Sequence, residues 1–94
     1  MLIIDSREKE GSKLVRLVEE RAKILNIQTE KKWLEIGDYV FSDVCFEAKS
    51  VVDFIGSVMS KRLWTQLDNM DRHYKNNVVI IYGDLSEGIY NIIE

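Results

Sequence analysis

The chain has 94 residues, a net charge of −3 and a single cysteine, with 46% hydrophobic, 31% charged and 10% aromatic residues. That is one small domain of globular composition; a chain of this length buries only a little over ~60% of its unfolded surface. No apolar run approaches the ~20 residues of a membrane span, Met1–Asp5 lacks a basic n-region and is no signal peptide, and Cys45 alone makes no disulfide and no zinc cluster. The expected setting is therefore soluble and intracellular, cytoplasmic or nuclear according to source. The acidic balance also excludes a stand-alone binder that relies on bulk positive charge to hold phosphates.

Met1–Asp5 (MLIID) predicts a buried strand, and Ser6–Gly11 a charged loop. Leu14, Val15, Leu17, Val18, Ala22 and Leu25 recur at helical spacing, so a helix is expected from Ser12, its N-cap, to about Asn26. Ile27–Glu35 alternates and reads as an exposed strand. Asp38–Phe41 and Val44–Lys49, separated by Ser42-Asp43, predict a β-hairpin in which Phe41 faces Val44, Val40 faces Cys45, Tyr39 faces Phe46 and Asp38 faces Glu47. Tyr39, Phe41, Val44, Phe46 and Ala48 then share one apolar face, and Asp38, Val40, Cys45, Glu47 and Lys49 the other.

Ser50-Val-Val-Asp53 is a capping box that opens a helix, and a break is expected near Ser60. A second helical pattern places Leu63, Leu67, Met70 and Tyr74 on one stripe, with Arg62, Gln66, Asn69 and His73 on another. Val78–Tyr82 predicts a second buried strand, and Gly83-Asp84 a turn. This order of elements implies an α/β fold, a mixed β-sheet flanked by helices.

The hairpin carries the chemistry. Opposed carboxylates on Asp38 and Glu47, with Cβ atoms ~5 Å apart, repel unless something compensates them. A hard divalent cation does so, because Mg²⁺ takes one or two carboxylates plus waters and phosphate oxygens. Lys49 points to the same side as Glu47 and can meet a phosphate oxygen or the attacking water. The bland reading, an ordinary solvated strand face, stays open on the hairpin alone.

The neighbouring segments add to it. Asp5-Ser6-Arg7-Glu8, Ile36-Gly37-Asp38-Tyr39-Val40, Phe46-Glu47-Ala48-Lys49-Ser50 and Asp53-Phe54-Ile55 come in order at compatible distances. Ile55-Gly56-Ser57, Arg62-Leu63-Trp64-x-Gln66, Met70 and Tyr74-Lys75 continue the pattern. Together they resemble the nuclease domain of the XPF family, of PD-(D/E)xK type, whose signature is GDx(n)ERKx3D after a D-x-R-E segment.

The resemblance implies a restriction-endonuclease-like fold. It also implies a Mg²⁺- or Mn²⁺-dependent endonuclease that cuts flaps, forks and splayed arms near single-strand/double-strand junctions. Asp38 and Glu47 would be the metal ligands, and Lys49 would position the water. Asp5, Arg7 and Glu8 would sit at the rim, and Arg62 and Gln66 would reach the DNA backbone.

Three departures accompany the resemblance. Ala48 stands where the signature has arginine. No tandem helix-hairpin-helix segment is present. The chain ends on Ile92-Ile93-Glu94, so a single domain, compact or shortened at its C-terminus, is expected, with a homodimer or a partner protein supplying DNA affinity. These departures keep a second function in view, a catalytically weak or inactive DNA-binding or scaffold module, and a third, an unrelated α/β regulatory domain carrying the motif by chance.

Several residues have a plainer role beside the functional one. Asp53 reads first as the helix-capping carboxylate. Lys61, Arg62, Arg72 and Lys75 form either a phosphate-binding patch on one side of the last helix or a solvated face. Trp33 and Trp64 read as partly buried packing residues sooner than as base-stacking platforms, Cys45 as packed rather than reactive, and Glu10 has no assigned role.

Overall fold

The computed structural model describes residues 1–8, 12–84 and 86. The elements are β1 (Leu2–Asp5), α1 (Lys13–Ile24), β2 (Thr29–Lys32), β3 (Tyr39–Phe41), β4 (Val44–Ser50), α2 (Val51–Met59), α3 (Arg62–His73) and β5 (Asn76–Tyr82). The strands form one mixed sheet in the order β2-β1-β3-β4-β5. β1 runs parallel to β2 and antiparallel to β3, and β4 is antiparallel to β3 and parallel to β5. Both parallel pairs are joined through helices, as parallel pairing requires. No helix among the described residues is long and apolar enough to cross a membrane.

Local chemistry sets the helix starts. Ser12 Oγ accepts from the Val15 N–H at 3.3 Å, and Ser50 Oγ from the Asp53 N–H at 3.1 Å, each satisfying a free first-turn donor. Asp53 lies in the first turn of α2, where a carboxylate suits the helix dipole. The break after α2 falls at Ser60, with Lys61 in the left-handed region at φ 65°.

Both sheet faces are covered near the centre. Ile4 and Tyr39 pair across β1 and β3 on the face where Val15 and Ala22 of α1 are buried. On the other face Leu34, Val40, Cys45 and Met70 form a buried cluster, with Ile3, Ile36, Leu67 and Tyr74 packed against it. The helical stripe expected from Leu63 to Tyr74 is the inward face of α3.

Two expectations need correcting. Val78–Tyr82 is a strand, but Val78, Ile80, Ile81 and Tyr82 are exposed, because among the described residues β5 pairs only with β4 and lies at the sheet edge. Trp33 and Trp64 are not partly buried: both are 61% exposed. Trp33 follows the end of the edge strand β2, and Trp64 sits on α3 away from the inward stripe. Glu10 and Ile92–Glu94 lie outside the described residues.

Candidate active site

The hairpin register is the expected one: Tyr39 faces Phe46, Val40 faces Cys45 and Phe41 faces Val44. Ser42 takes the positive φ of 56° that the tight turn demands. The expected cross-strand pairing of Asp38 with Glu47 does not occur. The ladder slips by one residue at Gly37-Asp38, so that the Asp38 N–H donates to Phe46 O at 2.8 Å. The Ala48 N–H then donates to Asp38 Oδ2 at 2.7 Å, and the Asp38 carbonyl accepts the Asp5 N–H at 2.8 Å. Asp38 is thus held from two sides, and its carboxylate replaces a backbone carbonyl in the β3–β4 ladder.

Gly37 allows this slip. Its φ is +86°, and a Cβ built there would stand 2.3 Å from Cys45 Sγ. Cys45 is fully buried, and burial pushes its thiol up to about 11, so it is packed and inert.

The slip still brings the carboxylates together. Glu8 and Glu47 both lie close enough to Asp38 for its carboxylate to act on them. Burial, then the hydrogen bond and repulsion from Asp38, raise Glu8 from the ordinary 4.5 to about 7. The same causes raise Glu47 to about 7, opposed by the nearby Lys49 ammonium. Like charges held this close favour a shared proton.

Among the described residues, no group of three or more His, Cys, Asp or Glu side chains is already arranged to hold a metal ion. A hard cation of the Mg²⁺ type needs fewer protein ligands, one or two carboxylates completed by waters and phosphate. The converging, charge-frustrated oxygens of Asp38 and Glu47 fit that requirement.

The sign of the pH dependence follows. A carboxylate with a raised folded pKa contributes stability that is fully present below 4.5 and is lost as pH rises through about 7. Metal-free protein is therefore expected to melt at progressively lower temperature between pH 5 and pH 8. The slope should flatten in Asp38→Asn and under saturating Mn²⁺. A native metal-free melting temperature independent of pH over that window would contradict the cluster.

Asp5, expected at the rim, is instead buried. Its carboxylate accepts from Arg7 Nε at 3.0 Å and from the Leu34 N–H at 3.1 Å, and Arg7 Nη2 donates to the Leu34 carbonyl. Asp5 and Arg7 together fasten the loop after β2 to the end of β1, a positioning role. Asp5→Ala leaves the Leu34 donor unsatisfied and should lower stability by about 1–3 kcal/mol in denaturant unfolding. Asp5→Asn, which keeps an acceptor, should lose less.

Arg62 and Gln66 lie one turn apart near the start of α3. Asn76, just past the end of α3, pairs with Val44 and bonds the Asp43 side chain, at the hairpin-turn end of the sheet. Met70 packs at the level of Val40 and Cys45, with Leu67 a turn nearer the helix start. The N-terminal end of α3, with Lys61, Arg62 and Gln66, therefore lies toward Glu47 and Lys49. Gln66 Oε1 is buried with no hydrogen-bond partner in the described structure.

Arg72 is at the other end, about 15 Å from Arg62 along the helix at 1.5 Å per residue, and Lys75 lies beyond the helix end. Arg72 is paired with Asp68 at 3.0 Å. The four cations do not make one patch, because α3 runs along the sheet rather than across its functional end. Sequence reasoning also missed the Ala48 amide and the Leu34 backbone as partners of the acidic residues; no side-chain pattern signals a backbone contact.

Residues 4–93 match the family model of the ERCC4 domain. The chain is 41% identical over 90 residues to a DNA repair endonuclease XPF from Dictyostelium discoideum, covering 95% of this chain and 9% of the relative. It is 32% identical over 84 residues to a 3'-flap repair endonuclease Xpf from Saccharolobus solfataricus, covering 88% of this chain and 34% of that one. The chain thus spans about a tenth to a third of these two curated relatives. Among solved structures, XPF from Aeropyrum pernix in complex with DNA aligns with a TM-score of 0.75 at 28% identity, covering 98% of this chain and 48% of that one. A second structure of XPF from the same organism gives 0.74 at 32% identity, covering 88% of this chain and 40% of that one.

Proposed function

We propose, for a chain that belongs to the ERCC4-domain family of XPF DNA repair endonucleases, a metal-dependent endonuclease that hydrolyses phosphodiester bonds near single-strand/double-strand junctions of flaps, forks and splayed arms. The observation that carries this reading is the Asp38 carboxylate bonded to the Ala48 N–H, between Glu47 and Lys49, with Glu8 and Glu47 both raised by the Asp38 charge.

Asp38 and Glu47 would hold Mg²⁺ or Mn²⁺. When bound, that cation supplies Lewis-acid charge at the phosphate and a more acidic water. The chain's residues do the rest. Glu8 and the Ala48 amide fix the orientation of Asp38. The Lys49 ammonium orients the attacking water or offsets charge on a phosphate oxygen. Arg62, and Gln66 through its amide N–H, would reach the DNA backbone from the start of α3, with Lys61 beside them. The backbone of Ala48 serves the site while its side chain belongs to the opposite face, so the missing arginine of the signature removes a cation without disturbing the carboxylates.

With a net charge of −3, DNA affinity should be weak and fall steeply with salt. A partner chain or a second copy would raise it. The test is incubation at low salt with labelled splayed-arm, flap and linear duplex DNA in Mn²⁺, Mg²⁺ or EDTA. Metal-requiring cleavage of the branched forms is expected. Binding of DNA and Mn²⁺ by folded protein without any cleavage would replace this reading with that of a DNA-binding module.

A further inference from the structure

We propose that Trp33, braced by Arg7, is a stacking platform for an unpaired nucleobase of single-stranded DNA entering the carboxylate site. This rests on the nuclease reading and specifies how its substrate is held.

An exposed tryptophan alone says little; here the ring is also fixed in place. The Arg7 guanidinium lies 5.1 Å from its centroid. Arg7 is itself fixed by the buried Asp5 carboxylate and by the Leu34 carbonyl. The next residue, Leu34, donates its N–H to the same Asp5. A flat apolar surface is thus pre-oriented at little entropic cost, with one face on a cation and 61% of the residue in water.

Its position points to the ligand. β1 and β2 run parallel and end together, Asp5 opposite Lys32. Trp33 comes directly after Lys32, and the Asp5 N–H bonds the Asp38 carbonyl. β1 alone separates the strand that leads into the platform from the proposed metal ligand, two strand spacings or about 10 Å. Lys32 places positive charge next to it in the chain, and Arg7, though paired with Asp5, keeps its cation on the ring, in a chain whose overall charge repels phosphate.

A ring flanked by cations at the edge of a phosphodiester-cleaving centre suits a nucleobase with a free face. Bases inside a duplex have both faces stacked. The platform therefore selects the unpaired strand at a junction and orients it toward β1 and β2. Stacking of this kind is tolerant of base identity, because every base offers a π-face.

The test uses Trp64→Phe protein, in which Trp33 is the sole tryptophan. It is titrated at low salt in EDTA with a short oligo-dT strand and with a blunt duplex of the same length, each carrying a label for anisotropy. Single-stranded DNA should quench Trp33 fluorescence as anisotropy saturates, and duplex should not. Trp33→Ala should weaken single-strand binding by roughly tenfold, the equivalent of one stacked base, with melting temperature and duplex binding unchanged; Trp33→Phe should recover part of the loss.

Unchanged Trp33 emission at saturation, equal single-strand affinity in Trp33→Ala, or no single-strand binding by the parent would each overturn the proposal. The cleavage reading fails separately. Quenching without metal-dependent cleavage leaves the platform standing and removes the enzyme. Cleavage of junctions that is indifferent to Trp33→Ala does the reverse.

Discussion

Asp38→Asn is expected to abolish metal-dependent cleavage, by at least about a hundredfold, while leaving the protein folded. A ligating carboxylate that holds a catalytic cation accounts for several kcal/mol of transition-state stabilisation, and each ~1.4 kcal/mol is tenfold in rate. The fold should survive because an asparagine side-chain oxygen still accepts the Ala48 N–H that Asp38 Oδ2 accepts now at 2.7 Å. The amide also gains donors toward Glu8 and Glu47, which face Asp38 as frustrated acceptors. Metal-free Asp38→Asn should therefore melt no lower than the parent near pH 8, and higher if repulsion dominates. Activity and stability should move apart in this one variant. Parallel loss of both would mean that Asp38 is a structural carboxylate rather than a ligand.

The second large effect concerns stability. Gly37→Ala meets two penalties at once. The backbone at φ +86° costs a residue with a Cβ about 1–2 kcal/mol. The new methyl would also stand 2.3 Å from Cys45 Sγ, in a core position with no room to yield. Overpacking of this kind costs about 1–3 kcal/mol. The sum, about 2–5 kcal/mol, is a large share of the roughly 5–14 kcal/mol that a domain of 94 residues has in total. Adding Cys45→Ala should relieve the clash and leave the backbone penalty. A double-mutant cycle in urea should thus show a favourable coupling of about 1 kcal/mol or more. Strict additivity would show that the backbone alone disfavours alanine there. Asp38 follows Gly37, so the single variant should also lose cleavage activity as the ladder slip is disturbed.

Local chemistry made much of this fold legible. Ser12 and Ser50 announce their helices by residue type, and the period of Leu63, Leu67, Met70 and Tyr74 gives the inward face of α3. The alternation around Ser42-Asp43 gives the hairpin register, and the ordered Gly37-Asp38, Glu47 and Lys49 lead to the site. What stayed hidden depends on contacts between distant segments. The one-residue slip at Asp38 needs the Asp5 amide and the Ala48 amide, neither of which has a side-chain signature. Asp5 is placed at the rim by the resemblance, which matches residue types and carries no burial. The Leu34 N–H and Arg7, supplied from the loops, let it be buried. Val78–Tyr82 looked like a core strand because apolar runs usually are, and only the strand order shows it at an edge. Lys75 looked close to Arg62 in sequence terms, and the direction of α3 along the sheet separates them.

The opposite edge of the sheet has its own consequence. β2 is the terminal strand there, four residues long and exposed throughout, with Glu30, Lys31 and Lys32 in succession. A sheet margin offers backbone donors and acceptors to any extended chain that drifts against it, the usual route to uncontrolled self-association. A margin this short, and this densely charged, gives an incoming strand few bonds and an electrostatic penalty. This edge can therefore stay open beside the acidic centre at the strand ends without templating a further strand.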